Sequence, residues 1–383
     1  MQVRTLWLTD FRNYTSAQLD LAPGLTALVG ANGEGKTNLL EALAWLATLS
    51  SFRGAPTEAL VRRGAPFAVV RALAEREGRE LLVEAQIQPN GRNRVQVNRQ
   101  PLRRARDLLG SLRVTVFTPD DLDIVKDGPG ERRRFLDDAL VSLHPRNDGL
   151  RSTVDRTLRQ RNALLKQAGG RLDESGAFTL DVWDTKLADA GAALVAARLD
   201  MLDRMRPVLE ATYDALARRP ALVSVRYDAA WLPGGTEGDG MGAEGSDGRR
   251  EALAGRLAAA LAEARREDVR RGVSSVGPHR DDVLLAIGSA PARTQASQGE
   301  QRTLALALRL AVHHVVTAAT DSPPVLLLDD VFSELDPGRS AALLANRPDG
   351  QTLLTTASTL PADAHPDVVL RLAGGELTPA GRG

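Results

Sequence analysis

Apolar and polar positions repeat with two different periods along the chain, and each period predicts one kind of element. Apolar runs, and runs in which every second residue is apolar, predict strands. These strands lie at 3–8, 14–21, 25–29, 67–74, 80–88, 94–97, 113–117, 221–227, 283–287, 325–329 and 352–356. Apolar residues three or four positions apart predict helices. These helices lie at 36–49, 130–166, 180–217, 249–271, 297–316 and 337–346.

The order of these elements predicts an α/β protein with two domains. Strands dominate residues 1–120 and 271–383, which we expect to form one domain, with an antiparallel sheet flanking its centre. Helices dominate residues 121–270, which we expect to be an inserted, mainly helical domain. This stretch lacks sustained heptads, so no long coiled coil is expected, and its acidic, Gly-rich part at 233–248 predicts a loop.

Composition narrows the class of protein without naming a partner. The 383 residues carry 49 basic and 49 acidic side chains, so a basic face for nucleic acid would need an acidic region elsewhere to balance it. The absence of cysteine excludes disulfides and thiolate metal sites and fits a cytoplasmic protein. We expect no signal peptide and no membrane span, since Arg309, His313 and His314 interrupt the most apolar long run.

One glycine-rich segment predicts a phosphate-binding loop. Residues 30–37 read GANGEGKT and fit the pattern G-x-x-x-x-G-K-[ST], between a predicted strand and a predicted helix. Glycines let the backbone turn its N–H groups towards phosphate oxygens, and the helix adds its positive N-terminus. Lys36, one of only four lysines in the chain, would reach the β- and γ-phosphates, and Thr37 would bind Mg²⁺. The alternative is an ordinary Gly-rich turn between strand and helix.

Two further segments carry candidate chemistry. The apolar strand at 325–329 ends in Asp329, which would hold Mg²⁺, and Asp330, which would polarise an attacking water. The alternative for Asp330 is the start of a solvated loop. Ser297, with Glu300 three residues later, matches a capping box that any helix can use, but the same helix N-terminus could bind a phosphate.

Basic residues are concentrated between 92 and 113, where seven arginines face a single acidic residue, Asp107. A solvated basic surface explains this concentration as well as contacts with nucleic-acid phosphates do. The candidates for DNA contact are Arg92, Arg94, Arg99, Arg103, Arg104 and Arg106. His279 also has two interpretations, since a lone histidine before a strand is either a hydrogen-bonded structural residue or one near a phosphate or interface.

The order of these motifs resembles ABC-type ATPases: the phosphate loop, the distant Ser297–Gln301 helix start, then Leu-Leu-Leu-Asp-Asp at 326–330 and Ser-Glu-Leu-Asp at 333–336. Other motifs resemble the RecF family of bacterial recombination mediators, in the SMC/Rad50-like group. These are DFRNY at 10–14, TPDDL at 118–122, ERRRFLD at 131–137 and GPHRDD at 277–282. The resemblance covers roughly 1–140 and 270–340 with specific motifs.

The resemblance implies an ATPase head with a mixed sheet around the phosphate loop, interrupted by a helical arm. It also implies that ATP and Mg²⁺ are bound between two subunits of an ATP-dependent homodimer. The implied nucleotide-binding residues are Gly30, Asn32, Gly33, Gly35, Lys36, Thr37, Asn38, Arg12 and Asn13. Ser297, Gly299 and Gln301 would act in trans on the partner's nucleotide, and Asp336 would lie at the subunit junction.

Three departures from the wider ABC pattern favour slow hydrolysis. Asp330 stands where many ABC proteins have Glu, and Asp is one methylene shorter. The glutamine that senses Mg²⁺ has no clear counterpart, the nearest position being Pro119-Asp120. Ala357 replaces the switch histidine. ATP would then act mainly as a latch that closes the dimer.

By this resemblance, the protein is expected to bind duplex DNA near single-strand/double-strand junctions and, with RecR and RecO, to help load RecA during repair and the SOS response. A second hypothesis is the ATPase subunit of an ABC transporter, but the roughly 260 residues between Lys36 and Ser297 argue against it. A Rad50- or SMC-type tether would need a longer arm with heptads. A DNA-binding protein that never hydrolyses ATP is the remaining alternative.

Overall fold

The computed structural model describes residues 1–217, 219–232, 246–357 and 359–379. The chain divides into two compact units. The first contains 1–122, 211–220 and 297–383, and the second contains 123–210 and 221–296. Residues 271–296, which the sequence analysis grouped with the ATPase head, belong to the second unit. The assignment of a head and an arm stays a prediction.

The strands of the described chain follow the sequence pattern closely. They are β1 (Gln2–Phe11), β2 (Tyr14–Asp20), β3 (Leu25–Val29), β4 (Ala68–Arg76), β5 (Arg79–Ile87), β6 (Arg94–Val97), β7 (Gln100–Pro101), β8 (Val114–Phe117), β9 (Val223–Asp228), β10 (Asp282–Ile287), β11 (Ala290–Pro291), β12 (Val325–Asp329), β13 (Thr352–Thr356), β14 (Val368–Ala373) and β15 (Glu376–Pro379). The sequence analysis missed the C-terminal pair β14 and β15 and the two-residue strands β7 and β11.

The α-helices are α1 (Lys36–Thr48), α2 (Thr57–Leu60), α3 (Asp123–Lys126), α4 (Pro129–Leu143), α5 (Asp148–Gln167), α6 (Glu174–Leu216), α7 (Ser246–Arg271), α8 (Ala292–Gln295), α9 (Gln298–Thr320) and α10 (Pro337–Ala345). The stretch at 130–166 is helical, as predicted, but it is divided into α4 and α5. Pro145 lacks an N–H and disfavours helical geometry at His144, so the helix ends there and α5 begins after it. Of the predicted loop at 233–248, residues 233–245 lie outside the described chain, and α7 begins at Ser246.

The first unit contains two six-stranded sheets. One is antiparallel, in the order β2-β1-β4-β5-β6-β7. The other has the order β15-β14-β3-β13-β12-β8 and is parallel except for β15. Because β3, β13 and β12 are parallel neighbours, their carboxyl ends meet at one edge, where α/β proteins bind ligands. The phosphate loop and Asp330 both follow strands at this edge.

Helix α1 packs between the two sheets of the first unit. It contacts β8, β12 and β13 of the parallel sheet and β1, β4 and β5 of the antiparallel sheet. It is therefore buried on nearly every side, including Leu39, Leu43 and Trp45. A helix that is apolar all round is the pattern expected for a position inside a core. This packing fixes the helix whose first turn carries Lys36 and Thr37.

The second unit is mainly helical, with the small antiparallel sheet β11-β10-β9. Helix α6 runs for 43 residues.

Helix α9, in the first unit, is the one helix of the described residues that is long and apolar enough to cross a membrane. Since 67% of its apolar window is buried inside the protein, as in ordinary core helices, this is weak evidence for a membrane span.

Candidate functional site

The phosphate loop requires glycine at positions where the backbone turns or approaches another segment. Gly33 and Gly35 have φ values of 86° and 109°, in the left-handed region that favours glycine. A Cβ on Gly35 would lie 2.6 Å from Asn13 Nδ2 and 2.9 Å from the Tyr14 hydroxyl. A Cβ on Gly30 would lie 2.4 Å from the carbonyl oxygen of Leu372 in β14. The loop therefore has the tight curvature that a phosphate-binding loop needs.

Lys36 directs its ammonium into this loop. Its Nζ donates to the carbonyls of Gly30 at 2.7 Å and Ala31 at 2.8 Å. The residue is buried, and burial lowers the pKa of the ammonium, while the nearby carboxylates of Asp330, Asp329 and Glu34 act to raise it. A cation held inside a curled, Gly-rich loop is suited to a phosphate anion.

Thr37 and Asp329 meet at the edge of the parallel sheet. Thr37 Oγ1 donates to Asp329 Oδ1 at 2.8 Å, and Thr355 Oγ1 donates to the same oxygen at 2.7 Å. Burial raises the pKa of Asp329, although the two hydroxyls act to lower it. The structure thus brings the two predicted Mg²⁺ ligands into direct contact.

Asp330 follows β12 in a strained conformation. Its φ of 48° is left-handed, which costs a non-glycine residue about 1–3 kcal/mol and is common at functional sites. Its backbone N–H donates to Thr355, and the Ser333 hydroxyl is 3.1 Å from Oδ2. Among the described residues, the buried Oδ1 has no hydrogen-bond partner. This arrangement leaves one carboxylate oxygen available for a water or a ligand.

Two of the predicted nucleotide-binding residues, Asn13 and Asn38, bond the flank of the loop, and their contact with a nucleotide stays a prediction. Asn13 Nδ2 donates to the carbonyl of Glu34 at 3.0 Å, and Asn38 Nδ2 donates to Asn13 Oδ1 at 2.7 Å. The exposed Arg53 reaches Asn38 Oδ1 at 3.3 Å, and its charge acts to lower the pKa of Asp329. Sequence analysis missed Arg53, because no motif links position 53 to the loop.

Arg12, predicted to contact the nucleotide, pairs with a carboxylate of its own chain. Its Nε and NH2 donate to the two oxygens of Glu41 at 2.7 and 2.6 Å, and its NH1 donates to the Ala59 carbonyl at 3.0 Å. Sequence analysis did not single out Glu41. The nucleotide contact of Arg12 stays a prediction.

The start of α9 carries the predicted trans-acting residues. Ser297 and Glu300 form the complete capping box, with Ser297 N donating to Glu300 Oε2 at 2.8 Å and Glu300 N donating to Ser297 Oγ at 3.3 Å. Ser297 is exposed, Gly299 is half-buried and Gln301 is buried in its own chain. The helix tip is therefore accessible at Ser297 and less so further along.

Asp336 and Gly299 are linked through Arg339. Asp336 caps α10 by accepting hydrogen bonds from the N–H groups of Gly338 and Arg339, and its carboxylate pairs with the Arg339 guanidinium. Arg339 Nε donates to Thr303 Oγ1 at 2.8 Å, and a Cβ on Gly299 would lie 2.8 Å from its NH1. The predicted junction residue and the predicted trans-acting helix tip thus belong to one hydrogen-bonded group.

The six candidate DNA-contacting arginines all lie exposed on or beside β6 and β7. They are Arg92, Arg94, Arg99, Arg103, Arg104 and Arg106. Within the described residues, Arg104 alone of the six forms an ion pair, with Asp107 at 3.5 Å. Arg99 has a φ of 66° in the turn between the two strands. These exposed arginines form a basic surface around β6 and β7.

His279 belongs to the second unit and is mostly buried. Its Nε2 is 3.2 Å from the Ser274 carbonyl, and burial lowers the pKa of the imidazole to about 4. These contacts agree with the structural interpretation of this histidine.

The site has the donor set that a Mg²⁺–nucleotide complex would need. Within the described residues, no group of three or more His, Asp or Glu side chains could hold a metal by itself. Mg²⁺ is commonly bound through one or two protein oxygens together with substrate phosphates. Thr37 and Asp329 fit this pattern, and the ammonium of Lys36 would complement the phosphates.

Comparison with known proteins gives a consistent result. The family described as RecF/RecN/SMC N terminal domain matches residues 2–358. The DNA replication and repair protein RecF of Kineococcus radiotolerans is 46% identical over 364 residues, covering 94% of this chain and 93% of that protein. RecF of Streptomyces avermitilis is 44% identical over 365 residues, covering 94% of each chain.

Solved structures agree with these relatives. The recombination mediator protein RecF-ATPrS in the RecFOR pathway superposes with a TM-score of 0.87 at 28% identity, covering 99% of this chain and 98% of that one. An Smc head domain from Pyrococcus furiosus reaches a TM-score of 0.55 at 15% identity, over 99% and 96% of the chains, which shows a shared fold alone. The predicted fold class, a phosphate-loop head with a flanking antiparallel sheet and a helical insertion, is confirmed. The chain belongs to the RecF family of ABC-type ATPases, within the RecF/RecN/SMC group.

Proposed function

We propose that this chain is a recombination mediator of the RecF type. It would bind ATP and Mg²⁺, dimerise on ATP binding, hydrolyse ATP slowly, and hold duplex DNA near junctions with single-stranded gaps during repair and the SOS response. The RecF relatives favour this function over a transporter subunit. By the same relationship, RecR and RecO would be partners in loading RecA, in the cytoplasm.

The proposed binding and hydrolysis of ATP rest on the contacts around the phosphate loop. The ammonium of Lys36 would exchange the carbonyls of Gly30 and Ala31 for phosphate oxygens. Thr37 and Asp329 would hold Mg²⁺, which when bound neutralises charge on the phosphates. Asp330 would orient the attacking water through its available oxygen. Its short side chain, held by Ser333, supports slow hydrolysis.

The observation that supports ATP-dependent dimerisation is the exposed N-terminus of α9. Ser297 caps α9 in a box with Glu300 yet is open to solvent, and the helix behind it is anchored in the core. A rigid helix N-terminus exposed on the surface is suited to an anion supplied by another molecule, here the γ-phosphate held by a second copy. ATP that contacts both copies would stabilise the pair by linkage.

The DNA contact would come from the basic surface around β6 and β7. Exposed arginines give affinity for the phosphate backbone without sequence preference. This suits a protein that recognises DNA structure.

The test is sedimentation with and without ATP for three proteins. Wild type should shift from monomer to dimer with ATP. Ser297→Arg should remain monomeric while binding ATP with wild-type affinity, because the residue acts on the partner's nucleotide. Ala318→Arg, which adds the same charge at an exposed position near the other end of α9, should dimerise normally. Dimerisation of Ser297→Arg, or loss of its ATP affinity as a monomer, would refute the shared site.

A further inference from the structure

Glu41 is a buried carboxylate whose role the proposed chemistry does not explain. It lies on α1, one turn after Thr37, and its side chain is 0% exposed. Its oxygens accept hydrogen bonds from Arg12 Nε and NH2, at 2.7 and 2.6 Å, and from the Ser51 hydroxyl. A fully buried charge needs complete pairing to be tolerated. Glu41 obtains it from two segments on either side of the phosphate loop.

The first of these segments is the turn between β1 and β2. Asp10 and Arg12 both have left-handed backbones, with φ values of 49° and 54°. Such conformations persist where surrounding contacts hold them, and here Arg12 is held by Glu41 and by the Ala59 and Leu60 carbonyls. The next residue, Asn13, bonds the Glu34 carbonyl and Asn38. The Arg12–Glu41 pair therefore holds the residue that directly precedes Asn13.

The second segment follows α1. The Ser51 hydroxyl donates to Glu41 and accepts the backbone N–H of Arg53 at 3.1 Å. The Arg53 guanidinium then reaches Asn38 at 3.3 Å. Both segments thus start at Glu41 and converge on Asn38, immediately after Thr37.

We propose that Glu41 is a positioning residue that fixes both flanks of the nucleotide pocket. Through Arg12 it places Asn13, and through Ser51 it places Arg53. In this arrangement Arg12 pairs within its own chain, and the exposed Arg53 adds a second cation beside Asn38. The inference rests on the proposed ATP binding, since it concerns how that pocket is preorganised.

Glu41→Gln tests this role with little change in volume. The amide keeps one acceptor oxygen but removes the negative charge and turns an N–H₂ towards a donor of Arg12, so the ion pair that holds the Arg12 flank is lost and the bond from Ser51 is weakened. ATP affinity, measured by fluorescence of a labelled nucleotide, should fall about tenfold. The hydrolysis rate at saturating ATP should change much less, because the Glu41 side chain bonds Arg12 and Ser51 rather than Asp330 or the side chains of the Mg²⁺ ligands. Ser51→Ala, which keeps the ion pair, should weaken binding less and guards against misfolding of the first variant.

A matched control separates positioning from stability. Gln351 is as buried as Glu41 and bonds the backbone of Val3 and Ala22 at the opposite end of β13 from the site. Gln351→Met should lower the melting temperature without changing ATP affinity.

A second experiment tests whether Glu41 acts through Asn13 and Arg53. Glu41→Gln in an Asn13→Ala/Arg53→Ala background should have little further effect on ATP affinity, because the residues through which it acts are already removed.

Two results would overturn the inference: wild-type ATP affinity in Glu41→Gln, or an undiminished loss of affinity in the Asn13→Ala/Arg53→Ala background. Wild-type protein that fails to bind ATP would instead refute the proposed function. The two failures are therefore distinguishable.

Discussion

Arg198 in the second unit and Lys36 in the first are both buried cations, but their surroundings differ. Arg198 donates to both carboxylate oxygens of Asp137, at 2.8 and 3.0 Å, and also to Tyr227 and to the Pro278 carbonyl. Lys36 bonds two carbonyls of its own loop, and the nearest carboxylates act on its pKa through space. Arg198 is thus fully paired within the fold, whereas Lys36 is positioned for an anion.

Buried carboxylates show the same contrast. Asp281 in the second unit accepts hydrogen bonds from Tyr227 at 2.7 Å and from Trp231 at 2.9 Å. Asp330 in the first unit has a buried oxygen without a partner among the described residues. Since buried polar groups in native proteins are nearly always satisfied, an open one indicates a ligand, a water or a catalytic role. The contrast is between a carboxylate with an open oxygen beside the phosphate loop, Asp330, and one that is satisfied inside the fold, Asp281.

The largest expected effect is a loss of stability when the hydrogen-bonded network around Arg198 is broken. Arg198→Met leaves Asp137 buried without its partner, which typically costs about 3–5 kcal/mol. The free energy of unfolding, from urea denaturation, should fall by that amount. Arg204→Met, at an exposed position on the same helix, should change it by less than about 0.5 kcal/mol.

A second variant sharpens this test. Replacing both partners, Asp137→Leu with Arg198→Met, should recover most of the loss, because no uncompensated charge remains. Equal stability of Arg198→Met and wild type would show that the network does not hold the second unit together.

The next effect concerns Lys36 in the phosphate loop and the stabilisation of the protein by ATP. Lys36→Met should leave the unfolding free energy without ATP nearly unchanged, since the ammonium is partly desolvated and paired only with loop carbonyls. It should abolish the stabilisation by ATP, which for wild type is about 2.7 kcal/mol at 100 times Kd. Melting curves with and without ATP measure both values. A large loss of stability without ATP would place Lys36 with Arg198 as a structural cation and remove the contrast.

Local patterns predicted the parts of the site that depend on local sequence. The strands at 25–29, 325–329 and 352–356 are confirmed at the predicted bounds, because their apolar runs end at clear turn signals. Glu41 and Arg53 were missed because their roles depend on contacts between distant segments. The motifs at 131–137 and 277–282 were recognised, but their spacing could not show that they meet, as they do through the Arg132–Asp282 ion pair.

A smaller effect should appear in the pH dependence of stability. Burial raises the pKa of Asp281 to about 6, so the native state binds a proton more tightly than the unfolded chain, and stability falls as pH rises from about 4 to 6. Burial lowers the pKa of His279 to about 4, so this histidine acts oppositely, and stability falls as pH drops from about 6.5 to 4. The two effects oppose each other in wild type.

Asp281→Asn separates them. Without the carboxyl, nothing at position 281 opposes the buried histidines His279 and His313, both with pKa values lowered to about 4 by burial, so stability should fall more steeply on acidification than in wild type. Between pH 6.5 and 4, the change in the free energy of unfolding should differ between the two proteins by at most about 3 kcal/mol, at 1.36 kcal/mol per pKa unit. Denaturation at several pH values measures it, and parallel curves for the two proteins would contradict the assignment to Asp281.

The smallest expected effect concerns the exposed arginines, whose loss should not affect folding in either unit. Arg94→Ala with Arg99→Ala removes two charges from the basic surface of the first unit. If both contact DNA phosphates, the slope of log K against log salt should become shallower by about 0.9 per arginine. Anisotropy of a labelled gapped duplex, with ATP and between 50 and 200 mM salt, measures the slope.

The matched control comes from the other unit. Arg156→Ala with Arg159→Ala removes the same charge from exposed positions on α5. A change in slope confined to the first pair would identify the surface around β6 and β7 as the DNA contact. Equal changes in both pairs would mean that net charge alone governs binding. The six arginines would then be a solvated surface.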